Sequence, residues 1–480
     1  MRVEKDFIGT YDIADEALYG IHSARAKDNF PAESRFHKEW YQAIGVVKQA
    51  CYITIQSFKK AVIKKYPQQL DKLNIPNDKT LESLIKSAET VAQGKYFDSF
   101  IVPAIQGGAG TSINMNINEI IANTSLLAMG ENIGDYSIID PIEQANLYQS
   151  TNDVIPTALK VATLRLLNQL EERINSMRTK IETLETKYRN SLRTGYTQMQ
   201  QAVPSSYGQL FGAYNDALSR DWWRVSKCFE RIKTVNLGGG ATGSGIAIPR
   251  YYIIEIVPTL KKLTGLPITQ SDNLTETTSN MDSWVEVHAI IKAHAVTLEK
   301  IVSDIRLLSS DIIENNEITI PPRQVGSSIM PGKINPVIAE FVISSAHKIY
   351  ANDQLITQLS AKGTLELNAY IPSVGDAIIE SLKLLIACNK TIENNLLDKL
   401  IVKEDIAKDT LYKSPSVCTA LSPIIGYHKA STLAKHMKEL KCTIFEANNI
   451  LNIIDNNSLK RYMNPGFLLQ KGFSIKDIME

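Results

Sequence analysis

Two apolar seams constrain this chain more than any other feature. Trp284, Val287, Ile291, His294, Leu298, Ile301, Ile305 and Leu308 recur at alternating three- and four-residue steps. That spacing lines up one face of a helix wound against others in a bundle or coiled coil. Leu167, Leu170, Ile174, Met177, Ile181 and Leu184 repeat it earlier in the chain. Helices this long outrun a small domain, and bundles of them often complete their core across subunits. The seams predict a mainly α protein that oligomerises. With 480 residues, 44% of them apolar, there is material for a sizeable core.

Around the seams, three mostly helical regions are expected. Residues 1–140 mix helical runs such as 37–63 with irregular loops. Residues 141–395 carry the long helices, with no alternating strand series, low-complexity tract or charge block. Residues 396–480 are shorter-patterned and richer in turns. Lys plus Arg number 52 against 51 Asp plus Glu, a net charge of +1, which gives no reason to expect a nucleic-acid or membrane partner. Five cysteines, odd in number and without a Cys-x-x-Cys, read as reduced thiols of a cytoplasmic protein. The N-terminus, Met1 to Asp6, lacks the apolar core of a signal peptide, and no stretch approaches a membrane span. A soluble, intracellular protein is expected.

Four polar segments interrupt the helical patterns. Gln106-Gly107-Gly108-Ala109-Gly110-Thr111-Ser112 is followed by Asn114, Asn116 and Asn118. Its glycines let backbone approach a ligand, and its N–H groups with the Thr111 hydroxyl could hold an anion. Taken alone, the segment reads slightly better as a flexible loop before a helix. Gln149-Ser150-Thr151-Asn152-Asp153 has more capping residues than one helix start requires, and such a start also receives carboxylates. The third segment, Gly195 to Pro204, reads as a polar loop before a helix. The fourth, Gly326-Ser327-Ser328-Ile329-Met330-Pro331-Gly332-Lys333-Ile334-Asn335-Pro336-Val337, has the look of a mobile loop that closes over an anion, or of a surface connection between helices. Asn335 can cap a helix with Pro336 at its first position. Lys333 adds a full charge to the partial charge of that helix start, and Gly326 and Gly332 are candidate hinges.

Other chemistries fit less well. Gly238-x-Gly240-x-x-Gly243 satisfies a dinucleotide fingerprint in form, but Arg231 to Asn236 continues a helical run and no parallel-sheet alternation surrounds it. No Gly-Lys-Ser/Thr follows the first glycine segment, which argues against a P-loop. The seven histidines fall outside all four polar segments and show no metal-ligand spacing beside a carboxylate cluster. Neither a metal nor a cofactor is expected. His294, on a seam, reads as a packed core histidine.

From end to end the chain resembles the aspartase/fumarase superfamily. The resemblance rests on Tyr19 to Ala26, Ile121-Ala122-Asn123, Ser150 to Asp153, the 326–337 loop, Leu365 to Asn368 and Ser422 to Tyr427. Gly107 to Ser112 with Asn114-Met115-Asn116 looks like the aspartase version of its segment. The resemblance implies three domains, with a central long-helix bundle completed by tetramerisation and active sites built from three subunits. It also implies elimination of ammonia or an amine from a succinyl-type substrate. Ser327 would take the proton beside the distal carboxylate, and the resulting aci-carboxylate would expel the amine. Thr111, Ser150, Thr151 and Ser328 would hold the growing charge, Lys333 and Asn335 the other carboxylate. Asn152, Thr197 and Gln198 would face the departing amine.

The same comparison marks departures. A family Gly-Arg-Thr-His reads Gly195-Tyr196-Thr197-Gln198, and the aspartate that usually follows is Gln201. A family His-x-Asn reads Gln144-Ala145-Asn146, a nearby serine is Tyr148, and a Gln before Asn is Ser279 beside Asn280. A family Gly-Ala-Thr-Ala reads Gly238-Gly239-Gly240-Ala241. The proton-abstraction side is intact and the amine side is rebuilt. Gln198 can donate and accept hydrogen bonds but cannot carry a proton at neutral pH.

Overall fold

The computed structural model describes residues 1–313 and 316–479. A hairpin of β1 (Arg2–Lys5) and β2 (Thr10–Ile13) opens the chain. Helices α1 (Ile21–Asn29), α2 (Lys38–Lys65), α3 (Asp78–Ala92) and α4 (Thr111–Met129) follow. Next come α5 (Thr151–Lys187), the pair β3 (Leu192–Thr197) and β4 (Gln200–Ser206), and α6 (Tyr207–Ile232). Beyond it lie β5 (Thr234–Val235), α7 (Arg250–Thr264), β6 (Thr269–Gln270), α8 (Leu274–Ser279) and α9 (Asp282–Leu308). The rest holds β7 (Ile318–Thr319), α10 (Val337–Ser360), α11 (Ile371–Thr391), β8 (Ile401–Val402), α12 (Glu404–Lys413), and shorter helices to the end. The mainly α expectation holds. No helix among the described residues is long and apolar enough to cross a membrane.

The described chain groups into two compact units. One comprises Met1–Leu170, Arg224–Lys292 and Lys348–Leu384, the other Glu171–Trp223, Ala293–His347 and Leu385–Glu480. Their boundaries fall inside α5, α6, α9, α10 and α11.

In the first unit, Trp40, Ile44, Val47, Cys51 and Ile55 of α2 are buried at the three- and four-residue steps of one helix face. Helix α2 packs on α3 and α7, and α3 packs on α4. The start of α1 is held by Glu119 of α4. Its carboxylate accepts from the N–H groups of Gly20 (2.8 Å), His22 (2.9 Å) and Ser23 (3.3 Å), and from the Ser23 hydroxyl. Complete burial raises this carboxyl to about 7 in spite of those donors. In the second unit, Leu192 of β3 joins Leu411, Val417, Leu433, Met437 and Ile444 in a separate small core.

Both seams are buried along their whole length, from Leu167 to Leu184 and from Trp284 to Leu308. The single chain already covers them, so these stripes do not of themselves require a second subunit. His294 is buried as expected, but it is not an apolar filler. Its Nδ1 lies 3.0 Å from Asp221, and its Nε2 accepts from Asn389 at 2.8 Å.

Two local expectations are corrected. Residues 195–204 are not a plain loop. They form most of the antiparallel β3–β4 pair, with Thr197 opposite Gln200 and a register shift between Thr194 and Tyr196. The two-residue turn is Gln198-Met199, both at positive φ (52° and 59°), as a type I′ turn requires. Helix α6 does not run through to Asn236. It stops at Ile232, and Thr234–Val235 pairs in parallel with Thr269–Gln270. Two residues of strand, with the next helix starting only at Arg250, still do not make a dinucleotide fold.

Candidate active site

In the first unit, two helix starts carry the expected residues. Gly108, Ala109 and Gly110 all have positive φ, a curl that ends where Thr111 begins α4, with Thr111 exposed. Asn116 behind it accepts from the Ile101 N–H at 2.8 Å, so that asparagine serves the scaffold.

Ser150 caps α5, its hydroxyl accepting the Asn152 N–H at 3.2 Å. Asp153 in turn accepts the Ser150 N–H at 3.0 Å, the return half of a capping box, while Ser150 itself serves the N2 rather than the N3 N–H. The other Asp153 oxygen accepts from the N–H groups of Gly238 (3.2 Å) and Gly240 (3.0 Å). Gly240 has φ 67°, which a glycine adopts freely. The glycine run that mimics a phosphate loop is thus a nest for a carboxylate of the chain itself. Burial raises the Asp153 carboxyl to about 6. Asn152 donates to the Ala241 carbonyl at 2.7 Å, and its own carbonyl accepts from Asn236 at 2.9 Å. Its side-chain oxygen is left to meet a donor. Ser150 and Asn152 are therefore both tied to the groups around them.

In the second unit, the 326–337 loop is tied at its base. Gly326 donates to the Lys333 carbonyl at 2.9 Å, and the Asn335 side chain donates to the Gly326 carbonyl at 2.7 Å. Asn335 therefore braces the loop rather than capping α10, which begins at Val337. A Cβ on Gly326 would lie 2.7 Å from that Lys333 oxygen, so only glycine allows the closure. Between these ties, the Ser327 hydroxyl oxygen accepts the N–H groups of Ile329 (3.2 Å) and Met330 (3.0 Å). Ser328 and Lys333 are exposed.

Thr197 and Gln198 stand exposed at the tip of the β3–β4 pair. The Arg193 guanidinium underlies the tip, 5.8 Å from the Tyr196 ring centre and 5.1 Å from that of Tyr207. Gln201 accepts from the Ser414 hydroxyl at 2.8 Å. Gln201, where the resemblance implies an aspartate, thus serves as a polar brace for the turn. Elsewhere, Tyr148 bonds the Leu73 carbonyl at 3.2 Å and Gln144 accepts the Asp140 N–H at 2.7 Å. These departures also do structural jobs. The expected site residues thus sit in two sets, Thr111 with Ser150 to Asn152 in one unit, and Thr197, Gln198, Ser327, Ser328, Lys333 and Asn335 in the other.

A profile of a family described as lyase matches residues 9–351. The chain belongs to the aspartase/fumarase superfamily. It is 35% identical to an aspartate ammonia-lyase of Bacillus sp over 99% of this chain and 98% of that one. To the aspartate ammonia-lyase of Escherichia coli (strain K12) it is 34% identical, over 91% and 89%. The crystal structure of a fumarate lyase:delta crystallin from Brucella melitensis superposes with a TM-score of 0.89 at 31% identity, covering 97% of this chain and 98% of that one. Within the superfamily this chain is aspartase-like.

Sequence reasoning missed Lys48 and gave Asp153 no part beyond that of a capping residue. Lys48 is fully buried and donates to Asn146 at 3.2 Å, an oxygen that also receives Asn114 (3.0 Å) and Asn118 (3.2 Å). Burial pulls its ammonium down to about 8. The Asn146 amide in turn donates to the Gln149 carbonyl at 3.2 Å, directly before Ser150. A lysine in the middle of the apolar face of α2 was the signal available.

Proposed function

We propose that this aspartase-like carbon–nitrogen lyase eliminates ammonia from L-aspartate to give fumarate, with Ser327 as the base. One observation carries the proposal: the Ser327 oxygen already receives two backbone N–H groups. A serine removes a weakly acidic C–H proton only if its alkoxide is stabilised, and fixed donors at that oxygen, with Lys333 on the same loop, lower the cost. The same two bonds brace the turn, so the base is held ready without a separate ordering step.

The proton lost is the one next to the distal carboxylate, and the charge moves onto that carboxylate as an aci-carboxylate. Donors that bind it more tightly as charge grows accelerate the step. Thr111, Ser150, Thr151 and Ser328 take this role, and Lys333 holds the other carboxylate together with the second amide N–H of Asn335. The C–N electron pair then leaves with the amine, which faces Asn152, Thr197 and Gln198. With its amide N–H tied to Ala241, Asn152 presents an oxygen, the right partner for an ammonium. The proposal includes a cytoplasmic homotetramer with shared active sites and the partition 1–140, 141–395 and 396–480.

The test is the purified full-length protein with aspartate, following the double bond of fumarate by ultraviolet absorbance, and the reverse reaction with fumarate and ammonia. Release of fumarate without added nicotinamide supports the proposal. No turnover in either direction, or a strict need for a nicotinamide, overturns it.

A further inference from the structure

Asn152, Pro156 and Lys160 are spaced by four residues on α5 and so share one face of it. They line a cavity of about 30 Å³ together with Thr278, Met281, Trp284, Asn368 and Ile371. That volume takes about two water-sized groups, close to the bulk of a carboxylate. Among the described residues Lys160 is the only charged side chain lining it. It is buried, and its ammonium donates to the Thr234 carbonyl at 2.6 Å. Among the described residues it meets no other acceptor. Glu276 and Asp282 act on it through space without pairing with it, and burial pulls it down to about 8. An ammonium has three N–H donors, and a buried cation with one neutral partner costs free energy that an anion would restore.

Eight residues of helix separate Lys160 from Asn152, about 12 Å of rise. Side chains on a helix lean toward its N-terminus, which brings the ammonium nearer to Asn152. The apolar wall of Met281, Trp284 and Ile371 suits methylene groups along the way.

We infer that this cavity receives the carboxylate tail of a substituted leaving amine, so that N-(carboxyalkyl)aspartates are substrates and Lys160 anchors their tail. The inference rests on the assignment of Asn152 to the leaving amine. The reaction balances as for aspartate. Ser327 takes the C–H proton, the C–H electron pair becomes the double bond, and the C–N pair leaves with the ω-amino acid.

The experiment runs in reverse. Fumarate is offered with 3-aminopropanoate and 4-aminobutanoate, and with their neutral isosteres 3-methylbutylamine and 4-methylpentylamine, and kcat/KM is read from loss of fumarate absorbance. The wild type should favour the anionic amine by about 10-fold or more, the worth of one charged hydrogen bond. In Lys160→Met that ratio should fall to near one, and Lys160→Arg should keep most of it. A ratio measured within one variant does not depend on how much of it is folded. A wild-type ratio near one, or a preference that survives Lys160→Met, overturns the inference and leaves a water-filled cavity. If ammonia adds to fumarate while the tailed amines show no preference, only the tail site fails. If no amine adds, the lyase proposal fails with it.

Discussion

In the proposed reaction Ser327 is the base and Gln198 faces the leaving amine. Replacing Ser327 by alanine should slow turnover by about 10²–10⁴-fold, the usual contribution of a positioned base, while far-ultraviolet circular dichroism stays that of the wild type. A variant with the wild-type rate would place the base elsewhere. The family resemblance implies an imidazole at the position of Gln198, and a polar partner matched or left unpaired discriminates by about 1–3 kcal/mol. The wild type should therefore prefer plain aspartate over N-substituted aspartates less than Gln198→His does. The check is the ratio of kcat/KM for the two substrates, and an identical ratio in both proteins would remove Gln198 from specificity. These candidate side chains were picked out because polar residues crowd into loops between apolar runs. Their partners were not. That Asn335 bonds Gly326 and that Asp153 sits in the Gly238–Gly240 nest are facts of tertiary approach, which no local spacing encodes.

At the scale of elements, long helices were read from periodicity because packing repeats every turn. The β3–β4 pair escaped notice because its turn lacks the Asn-Gly or Asp-Gly signature and its flanks do not alternate cleanly. The cap of α1 was equally hidden, since Glu119 lies 99 residues from Gly20. It nevertheless yields a test. The Glu119 carboxyl is raised by burial to about 7, above the ordinary value of about 4.3. Protons then bind the folded state more than the unfolded one between those values, so its stabilising contribution is full below the lower value and is lost as pH rises through the upper. Glu119→Ala should lower the urea midpoint, and the deficit relative to wild type should be larger at about pH 5 than at about pH 8. A deficit that grows with pH would reverse the assignment of this carboxyl.

For the molecule as a whole, the seams predicted helices correctly and oligomerisation on insufficient grounds, because one chain buries both stripes. What remains uncovered is a different set: Val296 at 54%, Leu307 at 42% and Phe341 at 42% exposed, on α9 and α10. Apolar groups of this size on neighbouring long helices are the better warrant for assembly. Light scattering at micromolar concentration should report a tetramer, and an active monomer would contradict both this surface and the shared-site proposal. The grouping of the chain into two units could not be read in advance, since each is stitched from three separated segments.

The turn at Gln198-Met199 carries a consequence for anyone who breeds this enzyme for heat tolerance. Two residues with side chains occupy left-handed backbone there, where glycine or asparagine is at ease. A thermal screen would reward Asn-Gly at this tip, by up to about 1 kcal/mol or more. The winning clones would have drawn back, by one methylene, the amide that the proposed reaction sets against the amine. If Gln198 sets substrate choice as proposed, ruggedness and specificity oppose each other at a single turn, and selection for one should be run with an assay for the other.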